Sequence, residues 1–220
     1  MKRRTFLSVG LALPVFAGTP KPQTQPGAAE VLRDLMTGNA RFASGHCKHP
    51  HLNLKRVHEL AAAQHPRAVI LTCSDSRVPP EFVFDQGLGD LFVVRVAGNV
   101  ANNDEIASCE YAVEHFGTPL LVVLGHSHCG AVTAVVNREH VPDDVHRMVI
   151  HLGEAVERVR QAQPALKGDE LVAASVRENV LETMQDLQKG CHEIATRVRD
   201  GRLKIVGGVY NLANGRVTWL

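Results

Sequence analysis

Aromatic side chains are scarce: one Trp, two Tyr and seven Phe make up 5% of the 220 residues. A core of ordinary size must therefore be built mainly from Val, Leu, Ile and Ala. Charge of one sign is also lacking, with 24 Lys and Arg against 23 Asp and Glu. That balance gives no basic excess for nucleic acid and no acidic run of the solvating-tail kind. Past the first twenty residues, no segment is apolar for long enough to cross a bilayer. No Cys-x-x-Cys pair occurs among the cysteines (Cys47, Cys73, Cys109, Cys129 and Cys191), which argues against a thiol redox motif. Their odd number suits a disulfide framework poorly. No internal repeat and no second domain can be seen, and the length suits one α/β domain with a sizeable core.

Histidine, by contrast, is plentiful, with twelve residues, all but His192 clustered around 46–65, 115–128 and 140–151. The N-terminus also stands apart. Lys2, Arg3 and Arg4 precede an apolar stretch from Phe6 to Ala17, which has the length of a signal-peptide core and is short for a span. Arg3-Arg4-Thr5-Phe6-Leu7 resembles a twin-arginine export signal, an address and not an anchor. Val15-Phe16-Ala17 offers a tolerable cleavage site, and residues 18–27 read as a Pro/Gly/Thr/Gln linker. The expectation is a signal and linker over 1–27, a single domain over 28–220, an exported (periplasmic) location, and no stable membrane anchor after cleavage.

Hydrophobic spacing predicts helices over 28–45, 54–63, 104–116, 129–137, 143–162 and 169–198, the last in one or two pieces. The first cap of the 104–116 helix is expected at Asn103 or Asp104. Short apolar runs of buried-strand type occupy 68–72, 91–96 and 120–124, followed by strands over 204–210 and 216–220 joined by the turn Asn214-Gly215. Strands alternating with helices imply crossover connections, hence an α/β fold with a mostly parallel sheet flanked by helices. Ligands of such sheets gather at the carboxyl ends of the strands.

Two of those ends carry metal-ligand chemistry. Cys73-Ser74-Asp75-Ser76-Arg77 follows the first strand, and His126-Ser127-His128-Cys129-Gly130 follows the third. Cys73 and Asp75 share a face of an extended stretch, and residues 126 and 129 lie close across a strand-to-helix turn. Two thiolates and an imidazole suit tetrahedral zinc with one position open, the catalytic arrangement; a carboxylate would complete a closed site. A buried Cys or a hydrogen-bonded His is common singly. Close pairs of ligand types at two strand ends are not.

These two segments, 53 residues apart, resemble the signature of the β-class carbonic anhydrase family. The likeness extends to Gly87–Asn99, to Glu110-Tyr111-Ala112-Val113, and to Gly208-Val209-Tyr210 with Gly215-Arg216-Val217, and so covers about residues 30–220. It implies one zinc ion per subunit on Cys73, His126 and Cys129, and zinc-dependent reversible hydration of carbon dioxide to bicarbonate and a proton. In that family Arg77 would fix Asp75, which orients the attacking hydroxide in an open form and swings onto the metal as fourth ligand in a closed one. Gln64, nine residues before Cys73, matches a glutamine that reaches substrate across a subunit interface. Phe92 and Tyr111 match pocket positions, while Ala97 stands where a larger aliphatic is usual. Gln64 and Tyr111 favour the open, water-bearing subtype. Gly130 can offer a backbone N–H at a helix start to an anion. A homodimer or larger homo-oligomer is implied, with the 28–45 helix as an arm. The ligand set leaves two alternatives open: a zinc hydrolase of carbon disulfide or carbonyl sulfide, and a non-catalytic bicarbonate-binding protein.

Overall fold

The computed structural model describes residues 26–220. The arginine pair, the apolar stretch expected to be a signal and nearly all of the expected linker lie outside the described residues. Five strands, β1 (Ala68–Thr72), β2 (Leu91–Arg95), β3 (Leu120–His126), β4 (Lys204–Tyr210) and β5 (Val217–Trp219), form one sheet in the order β2-β1-β3-β4-β5. The first four are parallel and β5 closes the edge antiparallel to β4. Every residue of β1 and β3 is buried, as befits central parallel strands covered on both faces.

Alternate side chains of these strands feed opposite faces. On one face Val69, Leu71, Leu121 and Val123 meet α4 (Asn103–Phe116), α7 (Gly168–Gly190) and α8 (His192–Arg199). On the other, Ala68, Ile70, Leu120 and Val122 meet α1 (Ala28–Ala43) and the short α3 (Pro80–Val83). A third cluster lies beyond the carboxyl ends of the strands, between α5 (Gly130–Asn137), α6 (Asp143–Ala162) and the start of α7. Between α1 and β1, α2 (Leu54–Leu60) buries no residue. No helix of the described residues is long and apolar enough to cross a membrane.

Several boundaries differ from the sequence reading, each for a local reason. β3 continues two residues past Leu124, because Gly125 and His126 pair with Val209 and Tyr210 of β4. Gly125 is not a stop. It lets α7 approach, since a Cβ there would lie 2.7 Å from Val180. The cap of α4 is Asn102, in a capping box with Glu105, whose carboxylate accepts from the Asn102 N–H at 3.1 Å. The 169–198 stretch is two helices, broken where Cys191 is extended (φ −135°, ψ 114°). α3 and a 3₁₀ turn over Ala97–Asn99 were not expected from the sequence.

α1 docks on its own sheet through Val31 and Leu35. The buried Asn39 ties it down: its amide donates to Val83 O and Gly215 O, and its carbonyl accepts from Val217 N. Gly38 permits this contact, because a Cβ at that position would lie 1.8 Å from the backbone oxygen of Phe84. Gly38→Ala must therefore push α1 off α3. The expected cost is about 3 kcal/mol, a fall of roughly 6–12 °C in the midpoint of thermal unfolding. A wild-type midpoint by calorimetry would contradict the packing described.

Candidate metal centre

In the register of the sheet, Thr72 stands opposite both Arg95 and Leu124. The loops after β1, β2 and β3 therefore leave one edge together. Thr72 Oγ1 donates to Leu124 O at 2.8 Å and pins the ends of β1 and β3 side by side. Cys73 is the next residue after β1. His126 is the last of β3, and a tight turn through His128 (φ 52°) delivers Cys129 to the N-cap of α5. One ligand atom from each of Cys73, His126 and Cys129 lies within 4.8 Å of the others, and all three residues are buried, at 5%, 0% and 1% exposure.

The ring of His126 is oriented by its own turn. Nδ1 lies 3.0 Å from the carbonyl of Ser127. A carbonyl only accepts, so Nδ1 carries the proton and Nε2 presents a lone pair. That Nε2 is buried with no hydrogen-bond partner among the described residues. The two thiols titrate as a pair: the hydrogen bond from Cys129 draws Cys73 down and holds Cys129 up. A bare imidazole nitrogen beside two thiols, one already inclined to ionise, fits a borderline-soft tetrahedral ion such as zinc, whose binding would displace the remaining thiol proton.

Asp75 and Arg77 stand at the mouth. Arg77 Nε donates to Asp75 Oδ1 at 2.9 Å and Nη2 to Oδ2 at 2.7 Å, a two-point fork, and Arg77 N adds a third bond at 2.9 Å. These bonds hold the Asp75 carboxyl well below the usual carboxylate range, although partial burial opposes them. Asp75 Oδ2 lies 3.9 Å from His126 Nε2. Gly130 opens α5 with free space on its side-chain face.

The structure thus gathers Cys73, Asp75, Arg77, His126, Cys129 and Gly130 at one sheet end. It does not bring Phe92, Tyr111 or Gln64 to that point within one chain. Phe92 sits three residues before Arg95 on β2, about 10 Å along the strand. It packs on the α4 face, with its ring 6.2 Å from those of Tyr111 and Phe116. Tyr111 is half-exposed and stacks on His115 at 5.0 Å. Gln64 is exposed in the segment before β1.

Other residues of the site escaped the sequence reading. Arg95 donates from Nε to Cys73 O at 3.1 Å and from Nη2 to Asp75 O at 2.6 Å, clamping the loop that carries both. Its signal was a charge inside an otherwise apolar run, Leu91 to Val96. Gly98 N donates to Cys73 Sγ at 3.3 Å. Ser127 is fixed by Leu212 N donating to its Oγ at 3.0 Å and by its own N–H donating to Tyr210 O at 2.8 Å.

Comparison with known proteins agrees with this geometry. The carbonic anhydrase family profile matches residues 68–217. A carbonic anhydrase of Mycolicibacterium smegmatis is 43% identical over 199 residues, covering 89% of this chain and 94% of its own. Carbonic anhydrase 2 of Mycobacterium tuberculosis is 42% identical over 200 residues, covering 89% and 93%. The solved β-carbonic anhydrase CcaA superposes with a TM-score of 0.69 at 31% identity, covering 86% of this chain and 94% of its own. The sheet, the buried Cys-His-Cys group at its carboxyl edge and these likenesses together place the chain in the carbonic anhydrase family, in its β class.

Proposed function

We propose that this chain catalyses the reversible hydration of carbon dioxide to bicarbonate and a proton, with one zinc held by Cys73, His126 and Cys129. The observation that carries the reading is Asp75, locked in the fork of Arg77 with one carboxylate oxygen 3.9 Å from the unpartnered Nε2 of His126. Zinc, when bound, supplies a hydroxide-strength nucleophile from water near neutral pH. The chain's own residues do the rest. Cys73, Cys129 and His126, themselves buried, would hold the ion. Asp75, ionised and aimed by Arg77, accepts the nucleophile's proton as a hydrogen bond and so turns a lone pair toward the substrate carbon. Gly130, the first residue of α5, offers its N–H to the developing anion. With both carboxylate oxygens engaged by Arg77, Asp75 is not free to enter the ligand set, which supports the open form.

Stopped-flow carbon dioxide hydration by the zinc-loaded protein, followed over about pH 6.5–9, tests this. The open form is expected to be active at neutral pH, rising with a midpoint near 7. Activity confined to the alkaline end would mean that Asp75 occupies the metal instead. Stoichiometric zinc without hydration at any pH would overturn the reading.

Two further parts belong to the same proposal. The apolar side chains of Leu52, Leu54 and Val57 are exposed around α2, at 61%, 75% and 48%, and this supports a second copy covering them. Gln64 lies four residues beyond the end of α2, and Phe92 and Tyr111 would line the pocket only in such an assembly; sedimentation gives the oligomeric state. The pair Arg3-Arg4 supports export to the periplasm in folded, metal-loaded form; cell fractionation and N-terminal sequencing of the product decide that point.

A further inference from the structure

We propose that Asn179, on α7, is a positioning residue for the metal centre, acting through Gly98 on the sulfur of Cys73; this rests on the zinc reading above. Asn179 is buried, at 3% exposure, and its Nδ2 donates to Gly98 O at 2.8 Å. Gly98 in turn donates its N–H to Cys73 Sγ. One helical turn along α7, the buried Thr183 donates from Oγ1 to Asn99 O at 3.3 Å. One helix thus grips two successive carbonyls of the turn that faces the metal ligand.

The turn needs that grip. Gly98 (φ 76°) and Asn99 (φ 47°) are consecutive left-handed residues, the second without glycine's freedom. A Cβ on Gly98 would lie 3.0 Å from Leu152 and 3.3 Å from Ala131, so α5 and α6 press on its other side. With Gly98 held at its carbonyl, its N–H is aimed at the sulfur. An N–H···S bond draws electron density from a thiolate ligand and fixes its rotamer, which sets both how strongly the sulfur donates to the metal and how easily the metal leaves. The amide of Asn179 thereby acts on the metal without touching it.

Cobalt(II) alone is the probe. The wild-type protein loaded with cobalt is expected to show thiolate-to-cobalt charge-transfer bands. In Asn179→Leu, similar in size but with no donor for the Gly98 carbonyl, these bands should move to longer wavelength as Cys73 becomes more electron-rich. Zinc should be lost to a chelator about tenfold faster than from the wild type, because the loss of a fixed Cys73 rotamer outweighs the stronger donation of its sulfur. Thr183→Val, which keeps the shape and removes the donor, should shift both readouts in the same direction by less, and it decides the matter if Asn179→Leu does not fold. Asn39→Asp is the control: it breaks bonds equally buried but remote, so it should lower the unfolding midpoint and leave the cobalt spectrum unchanged. A wild-type spectrum and wild-type zinc retention in a folded Asn179 or Thr183 variant would overturn the inference while sparing the zinc reading. Absence of charge-transfer bands in the wild type would overturn both.

Discussion

Cys73→Ser is expected to release zinc and to reduce carbon dioxide hydration by 10³-fold or more, on the order of what losing a generated nucleophile implies. A serine hydroxyl does not ionise at neutral pH and is a poor ligand for a borderline-soft ion. The site offers it no help. Its neighbours are His126, whose Nδ1 is committed to Ser127 O, and Cys129, whose thiol is held high by burial once its partner sulfur is gone. Two ligands of three remain, and the hydrogen bond from Gly98 then points at an oxygen that has nothing to hold. Zinc content by mass spectrometry and hydration by stopped flow should fall together. Cys47→Ser is the matched control: Cys47 is half-exposed and outside the cluster, so zinc and activity should be unchanged. If Cys73→Ser retained stoichiometric zinc and a wild-type rate, the ligand set assigned here would be wrong.

The Cys73-His126-Cys129 cluster was legible in the sequence because each of its residues lies within one position of a strand end or helix start, and the strands themselves were legible. The bounds expected for the first strand, 68–72, are those of β1, since four buried apolar residues and the buried Thr72 between Arg67 and Cys73 admit little else. What lay outside the sequence reading were contacts that carry no spacing. Asn179 meets Gly98 across 81 positions, through an amide on a helix face that looks like any other polar interruption. The far end of β3 was misread because a glycine that admits Val180 of α7 has the same letter as one that ends a strand. Phe92 and Tyr111 teach the complementary lesson. Their positions matched a pocket, yet in one chain they pack with Phe116 on the α4 face, so their match has meaning only for an assembly of chains.

Asp75→Asn separates holding the metal from using it. The ligands are untouched, so zinc should stay at one per chain. Hydration should nevertheless fall by about 10²–10⁴-fold, the usual worth of a positioned acid–base group. The amide is the same size but sets an NH₂ where the Arg77 fork requires an acceptor. The pair must therefore break, and the remaining oxygen is no longer aimed. The pH dependence adds a second discriminant. A carboxyl depressed in the folded state contributes from above the usual carboxylate range and loses that contribution only as pH falls through its lowered value. Asp75 is thus charged throughout the neutral range and is not the source of the activity's rise near pH 7. Asp75→Asn should lower the amplitude of the profile and leave its midpoint in place. Arg77→Ala should do the opposite: it frees the carboxylate to turn from the mouth toward the atoms of His126 and the two cysteines, and it moves activity to higher pH while zinc is retained. Equal loss of amplitude in both variants, with no shift of midpoint, would mean that Arg77 merely holds the loop, a task that Arg95 already performs through the carbonyls of Cys73 and Asp75.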